Sequence, residues 1–307
     1  MEVIEYSIII PVFNAANALE KLHSSITDFF KGKNYSYEII YVDDSSSDNS
    51  WSALKQIKQT AINTTIVRLS KNFGQHAATV CGFKYAKGNF IITMDDDLEV
   101  HPKEIQKLIE EQTKSDADLV YGIYKKKKQS LLRSIFTWVY KLLSKFDGQE
   151  KCKGSSYRLI KKELTQKLVT NHKQFLFIDE LCLWYTKKLS FVNVEANPNY
   201  IFKTRYKMGG LFKMAKNIIL FSSSIPLRLV TNVGFILAGT NFIIGLFFII
   251  KKFYFKIDVE GFTSLIVSIL FSTGLIILCL GILAQYMSQV IRSLNNAPPY
   301  NEDEIIC

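Results

Sequence analysis

The sequence predicts an α/β domain with a mostly parallel sheet, followed by amphipathic interfacial helices and a two-helix transmembrane hairpin. Three observations lead there. Short β-branched apolar runs alternate with amphipathic helical runs over residues 6–94, two of those apolar runs end in acidic clusters, and two long stretches within residues 229–291 carry almost no charge.

Taken in order, Tyr6 to Phe13 (YSIIIPVF) predicts a buried strand, and Asn14 to Phe30 follows with apolar residues at helical spacing (Ala18, Leu22, Ile26, Phe29). Tyr37 to Val42 (YEIIYV) predicts a second strand. The Ser-rich acidic segment DDSSSDNS after it can cap a helix over Trp51 to Gln59 through Ser47 or Asp48. The unit repeats with Thr65 to Leu69, a helix over Gln75 to Ala86, and Asn89 to Met94, which runs directly into Asp95-Asp96-Asp97. Strands alternating with helices at this spacing form a parallel sheet with helices on both faces, and such sheets bind ligands beyond the carboxyl ends of their strands. Both acidic clusters fall at those ends.

The C-terminal third has a different character. Leu229 to Ile250 is uncharged, and its 22 residues span about 33 Å as a helix, enough for a ~30 Å hydrocarbon core. Phe262 to Ala284 is a second uncharged run. The short segment Lys251 to Gly261 between them forces a hairpin, so both ends of the chain are expected on one side of the bilayer. SIIIPVF is too short for a secretory signal, so that side is expected to be cytoplasmic, at the inner (plasma) membrane. Lys251, Lys252 and Lys256 in the outer loop oppose this assignment on charge grounds. Residues 131–146 and 209–225 are amphipathic, the first behind Lys125 to Lys128, and suit either a packed core or a membrane interface. The expected organisation is a soluble domain over 1–208, an interfacial helix over 209–228, the hairpin over 229–291 and a cytoplasmic tail over 292–307.

Five cysteines (Cys81, Cys152, Cys182, Cys279, Cys307) have no metal-ligand spacing and are expected to be free thiols. The net charge of +10 comes with no nucleic-acid motif, which points to membrane lipids and phosphorylated substrates as partners. Asn232 and Asn241 can pair helices within one chain or between copies, so a homo-oligomer is compatible with the sequence.

Two constellations carry chemistry. Asp95 and Asp97, two residues apart at a strand tip, can grip one divalent cation whose open positions bind a diphosphate. Asp43 and Asp44 close another strand, where acids can accept hydrogen bonds from a nucleobase and ribose. His23, His76, His101 and His172 are scattered and read as packing or surface residues.

In order along the chain, SIIIPVFNAANAL, EIIYVDDSSSDNS, VRLSKNFGQHAATVCGFKYAKGNFIITMDDDLEVHP, GSSYRLIKKEL, FIDELCLW, KTRYKMGGLFKMA and AQYMSQVIRSLNNAPPY resemble the family-2 glycosyltransferases of the Rossmann-like GT-A fold. Within that family they are most similar to polyisoprenyl-phosphate glycosyltransferases related to dolichol-phosphate mannose synthase. The resemblance implies a nucleotide pocket from Pro11, Phe13, Asn14, Asp43 and Asp44. Lys71, Asn72, Phe73, Gly74, Gln75 and Asp96 would line the donor site, and Asp95 and Asp97 would be the metal-binding Asp-X-Asp, with Mg²⁺ or Mn²⁺ as cofactor. Arg158 would sit near the phosphates, and Thr204, Arg205 and Tyr206 would form the acceptor loop. The chain departs from the family pattern at Asn199 and Phe202, before that loop, and at Ala284-Gln285.

The function implied is transfer of one sugar, with inversion, from a nucleotide diphosphate sugar to a polyprenyl phosphate such as undecaprenyl phosphate. Uridine is favoured over guanosine as the base. A lipid phosphate is already ionised at neutral pH and needs no general base. A glycan or lipid hydroxyl acceptor is the alternative and would need one, with Asp179 or Glu180 the candidates. A silent membrane scaffold is the remaining alternative, opposed by the intact Asp95 and Asp97.

Overall fold

The structure, a computed structural model, describes residues 4–123, 155–170, 178–197, 262–294 and 300–307, with isolated positions between 240 and 254. The chain divides into two compact units. In the first, strand β1 (Tyr6–Val12) leads to helix α1 (Ala16–Lys31), β2 (Tyr37–Asp43) to α2 (Ser50–Thr60), and β3 (Thr64–Leu69) to α3 (Gln75–Tyr85). Then come β4 (Phe90–Thr93), α4 (Ile105–Ser115), β5 (Leu119–Ile123), β6 (Arg158–Lys161), α5 (Lys162–Thr170), α6 (Ile178–Tyr185) and β7 (Leu189–Asn193). After α7 (Phe262–Leu294), which belongs to the second unit, the chain contributes one more strand to the first, β8 (Glu302–Ile306).

The eight strands form one sheet in the order β7-β5-β6-β4-β1-β2-β3-β8. β1 pairs parallel with β2 and β4, β2 with β3, and β5 with β7; β6 runs antiparallel to β4 and β5, and β8 antiparallel to β3. This is the mostly parallel sheet that the sequence predicts, and the first four strands lie within a residue or two of their expected bounds.

The continuous apolar strands follow from burial on both faces. Along β1, Ile8, Ile10 and Val12 join one core with α1, α2 and α4, whereas Ile9 joins the other with α3, α5 and α6. β2 alternates in the same way, Ile39 and Tyr41 against Ile40 and Val42. With both faces of β1 and β2 covered, these central strands meet solvent only at their ends and through the connections after them. The carboxyl ends of β1, β2 and β4 therefore share one end of the sheet, where the order reverses around β1.

Helix α7 contains the second uncharged run. At 33 residues it is about 50 Å long, and Leu265, Ile269, Ile276, Leu280 and Leu283 are exposed on it. Among the described residues no helix is long and apolar enough to cross a membrane, so the helicity of this run is observed and its passage through a bilayer is not. The first uncharged run falls almost wholly outside the described residues. So do Thr204, Arg205 and Tyr206, the amphipathic stretches 131–146 and 209–225, and Cys152. Cys81, Cys182, Cys279 and Cys307 are free thiols.

Candidate active site

The connection after β1 is built around Asn14, a non-glycine residue held at φ 52°. Asn tolerates this left-handed conformation better than most residues, and its side chain explains why it is used. The Asn14 amide oxygen accepts from Ser47 N (2.9 Å), Ser47 Oγ (3.2 Å) and Asp48 N (3.3 Å), while Asn14 N donates to Ser46 Oγ (3.0 Å). Ala15 N donates to Ser50 Oγ (2.9 Å) and Ala16 N to Asp48 Oδ2 (3.2 Å). The loops after β1 and β2 are thereby sewn together. Asp48, rather than Ser47, accepts from Ser50 N at the start of α2 (2.9 Å).

The two acids after β2 have separate tasks. Asp43 is fully buried; it accepts from Ser46 N at 3.3 Å and lies 3.5 Å from Arg68 Nε. Burial raises its pKa, opposed by Ser46 and Arg68. Asp44 accepts Phe73 N at one oxygen (2.7 Å) and Gly74 N at the other (2.8 Å), which fastens the connection after β3 to the end of β2. Gly74 sits at φ 94°, where any side chain strains the backbone, and it begins α3. Lys71 lies over the Phe73 ring, 5.1 Å from its centroid, and Lys71, Asn72 and Gln75 stand at this rim.

Burial pushes the Asp44 carboxyl up to about 6, outweighing the two amides that favour its anion. An acid whose folded pKa is raised loses stability as pH rises through that value, because the folded state holds the proton longer than the unfolded chain does. Between pH 4 and 7.5, Asp44 should therefore cost the wild type roughly 2 to 3 kcal/mol that Asp44→Asn does not lose. Thermal unfolding of both proteins across that range measures the difference, and parallel pH curves would refute the assignment.

On the other side of β1, Asp96 Oδ2 accepts from Phe13 N (3.1 Å). Asp95 accepts from Ser156 Oγ (2.6 Å) and from the Gln75 side-chain amide. Its pKa is raised by burial first; the like charge of Asp97 adds to the rise, while Ser156, Gln75 and Arg158 act in the opposite sense. Asp97 Oδ1 accepts from Glu99 N (2.9 Å). Asp95 and Asp97 line one narrow pocket with Glu99, Ser156 and Tyr157.

Two neighbouring carboxylates that offer only hard oxygen donors, one of them disfavoured as an anion by the charge of the other, fit Mg²⁺ or Mn²⁺ in chemistry. Among the described residues no cluster of three or more His, Cys, Asp or Glu side chains surrounds a cation position.

Beneath this pocket lies a buried polar cluster. Arg158, the first residue of β6, stands opposite Thr93 and Tyr121 in the sheet. Its Nη1 donates to Asp179 Oδ1 (2.6 Å) and its Nε to Thr93 Oγ1 (3.1 Å), and Tyr121 OH donates to the same Asp179 oxygen (2.9 Å). The pKa of His76 is lowered to about 4, by burial and then by the Arg158 charge, so it is neutral at physiological pH.

The structure thus gathers Pro11, Phe13, Asn14, Asp43, Asp44, Lys71, Asn72, Gly74, Gln75 and Asp95 to Asp97 at one end of the sheet, with Arg158 under Asp95. Pro11 is buried within β1, opposite Val42. The acceptor-loop residues lie outside the described residues, as does the side chain of Glu180. Reading the sequence missed Ser46, Thr93 and Ser156, which orient the acids and the arginine. Ser156 lies within SSYRL, but a lone serine there gives no sign of its partner.

Acids and a glycine turn gathered where a doubly wound sheet reverses its strand order place the chain in the α/β class that binds ligands at the carboxyl ends of its strands. The profile described as Glycosyl transferase family 2 matches residues 7–182, more than half of the 307-residue chain, and the chain belongs to that family of glycosyltransferases. It is 27% identical over 299 residues to the prophage bactoprenol glucosyl transferase homolog of Escherichia coli (strain K12), covering 96% of this chain and 97% of that protein. It is 28% identical over 300 residues to an uncharacterized glycosyltransferase of Synechocystis sp., covering 97% and 94%. Among solved structures it is similar to glucosyl-3-phosphoglycerate synthase from Mycobacterium tuberculosis in complex with Mn²⁺ and uridine-diphosphate-glucose. That likeness is 16% in sequence, with a TM-score of 0.49 over 70% of this chain and 77% of the other.

Proposed function

We propose that this glycosyltransferase moves a sugar from a nucleotide diphosphate sugar, a UDP-sugar such as UDP-glucose, to polyprenyl phosphate at the cytoplasmic face of the membrane. The observation that carries the donor half is the convergence of Asp43-Asp44 and Asp95 to Asp97 on either side of β1. The acceptor half is supported by relatives named for bactoprenol glucosyl transfer that match along nearly the whole chain, and by the two uncharged runs.

In this reading Asp43 and Asp44 accept hydrogen bonds from the nucleoside, and the rim residues Lys71 and Asn72 face the diphosphate. Asp95 and Asp97 would hold Mg²⁺ or Mn²⁺, which when bound neutralises the charge that builds on the leaving diphosphate. An oxygen of the acceptor phosphate bonds to the anomeric carbon while the bond from that carbon to the diphosphate oxygen breaks. The nucleoside diphosphate leaves with the electron pair. One direct displacement inverts the anomeric centre. Such an acceptor needs no general base, and this agrees with Asp179, whose carboxylate is occupied by Arg158 and Tyr121.

The test is incubation of the purified full chain with UDP-glucose, UDP-N-acetylglucosamine or GDP-mannose and either undecaprenyl phosphate or undecaprenol, with products read by mass spectrometry. Product is expected on the phosphate alone. Glycosylated undecaprenol would instead establish the hydroxyl acceptor.

A further inference from the structure

Strand β8 is contributed by residues that follow α7, more than two hundred positions after the strand it pairs with. It lies antiparallel along β3, matching Ile66 with Ile306, Val67 with Ile305, Arg68 with Glu304 and Leu69 with Glu302. The register shifts between Arg68 and Leu69. A bulge turns the side chains on its two sides toward different faces of a sheet, and here it separates the two glutamates. Glu302 accepts from Lys84 Nζ on α3 (3.0 and 3.1 Å), with Cys81 Sγ at 3.6 Å. Glu304 reaches the opposite face, where it accepts from Trp51 Nε1 (3.1 Å) and pairs with Lys55 Nζ (2.8 Å) on α2. Tyr300 and Ile306 pack against different cores.

These grips fall at the ends of the segments that form the candidate donor site. Ser70, the first residue after β3, donates its N–H to Asn301 O (2.9 Å), and Asn301 Nδ2 reaches Ser70 Oγ at 3.4 Å. Further along, the same connection supplies the Phe73 and Gly74 amides to Asp44. Arg68, opposite Glu304, lies over the Trp51 ring with its guanidinium carbon 5.7 Å from the centroid, and it approaches Asp43. One short strand thus touches the entry to the 70–74 connection, the helix after it, the helix after Asp43-Asp44, and the arginine beside Asp43. A strand that only shielded an edge from aggregation would need none of these side-chain contacts.

We propose that residues 300–306 are a positioning strand for donor binding: they hold the 70–74 connection and Arg68 where Asp44 and Asp43 can receive the nucleotide. This rests on the reading that those two aspartates bind the donor.

The test uses full-length protein, a chain ending at Pro299, the double variant E302A/E304A, and Asp44→Ala. UDP and GDP are the calorimetric probes, with Mn²⁺ present, and hydrogen exchange at the Phe73 and Gly74 amides is followed without ligand. Truncation should speed exchange at both amides, weaken binding of the nucleotide that the wild type prefers by about tenfold, and raise KM for the sugar donor but not for the acceptor. Adding the peptide 300–307 should restore part of each loss. Wild-type affinity and exchange in the truncated chain overturn the proposal. If that chain does not fold, the same two measurements on E302A/E304A decide, and unchanged values overturn it. A wild type that binds neither nucleotide, or an Asp44→Ala variant that binds as well as wild type, would remove the donor reading instead. The exchange result would then still report whether the strand holds the loop.

Discussion

Asp97→Asn is expected to lower kcat by about a thousandfold or more while leaving the thermal unfolding transition close to that of the wild type. The separation follows from what Asp97 does in the fold. Its Oδ1 accepts from Glu99 N two residues on, and an asparagine oxygen can accept the same bond. What the substitution removes is charge, half of the paired carboxylate that suits a divalent ion. Asp95→Asn should behave less cleanly, because both Gln75 and Ser156 donate to Asp95 and an amide would turn a donor toward one of them. Turnover measured over a Mn²⁺ titration, beside a melting curve, separates the two variants. Near-normal turnover in Asp97→Asn would end the metal assignment.

Arg158→Met is expected to destabilise the catalytic domain by about 3 to 5 kcal/mol. Arg158 is nearly fully buried, and its 2.6 Å contact to Asp179 is the centre of the polar cluster under Asp95. Removing the arginine leaves a carboxylate with the Tyr121 hydroxyl in place of a cation. The cost comes from that stranded charge more than from the lost pair, so the double variant R158M/D179L should recover most of the stability. Chemical or thermal unfolding of the two single variants and the double closes a cycle. Additive losses would mean that the two side chains act independently, against the geometry.

Much of this architecture is legible from residue order because parallel strands buried on both faces must be apolar throughout. YSIIIPV, YEIIYV and TIVRL therefore stand out, and acidic clusters mark the carboxyl ends of two of the runs, YEIIYV and NFIITM. The Asp43-Asp44 and Asp95 to Asp97 positions follow from the same logic. The strand EDEII does not. Three acids in five residues look like a solvated tail, and their partners on α2, α3 and β3 lie more than two hundred positions away. The expected tail over 292–307 thus conceals a sheet strand. The family resemblance implies Arg158 near the phosphates, but its pairing with Asp179 depends on β6 entering antiparallel between β4 and β5, an inversion that no local pattern announces.

The stitching of Asn14 to Ser46, Ser47 and Asp48 has a consequence for the speed of recognition. Two walls of the nucleotide crevice, supplied by different strands, are crosslinked before any ligand arrives. They should move as one rigid body, and little ordering entropy is left to be spent on capture. Association of the nucleotide that the protein prefers should therefore follow a single fast phase that rises linearly with concentration, without the saturating step of a site that must first assemble.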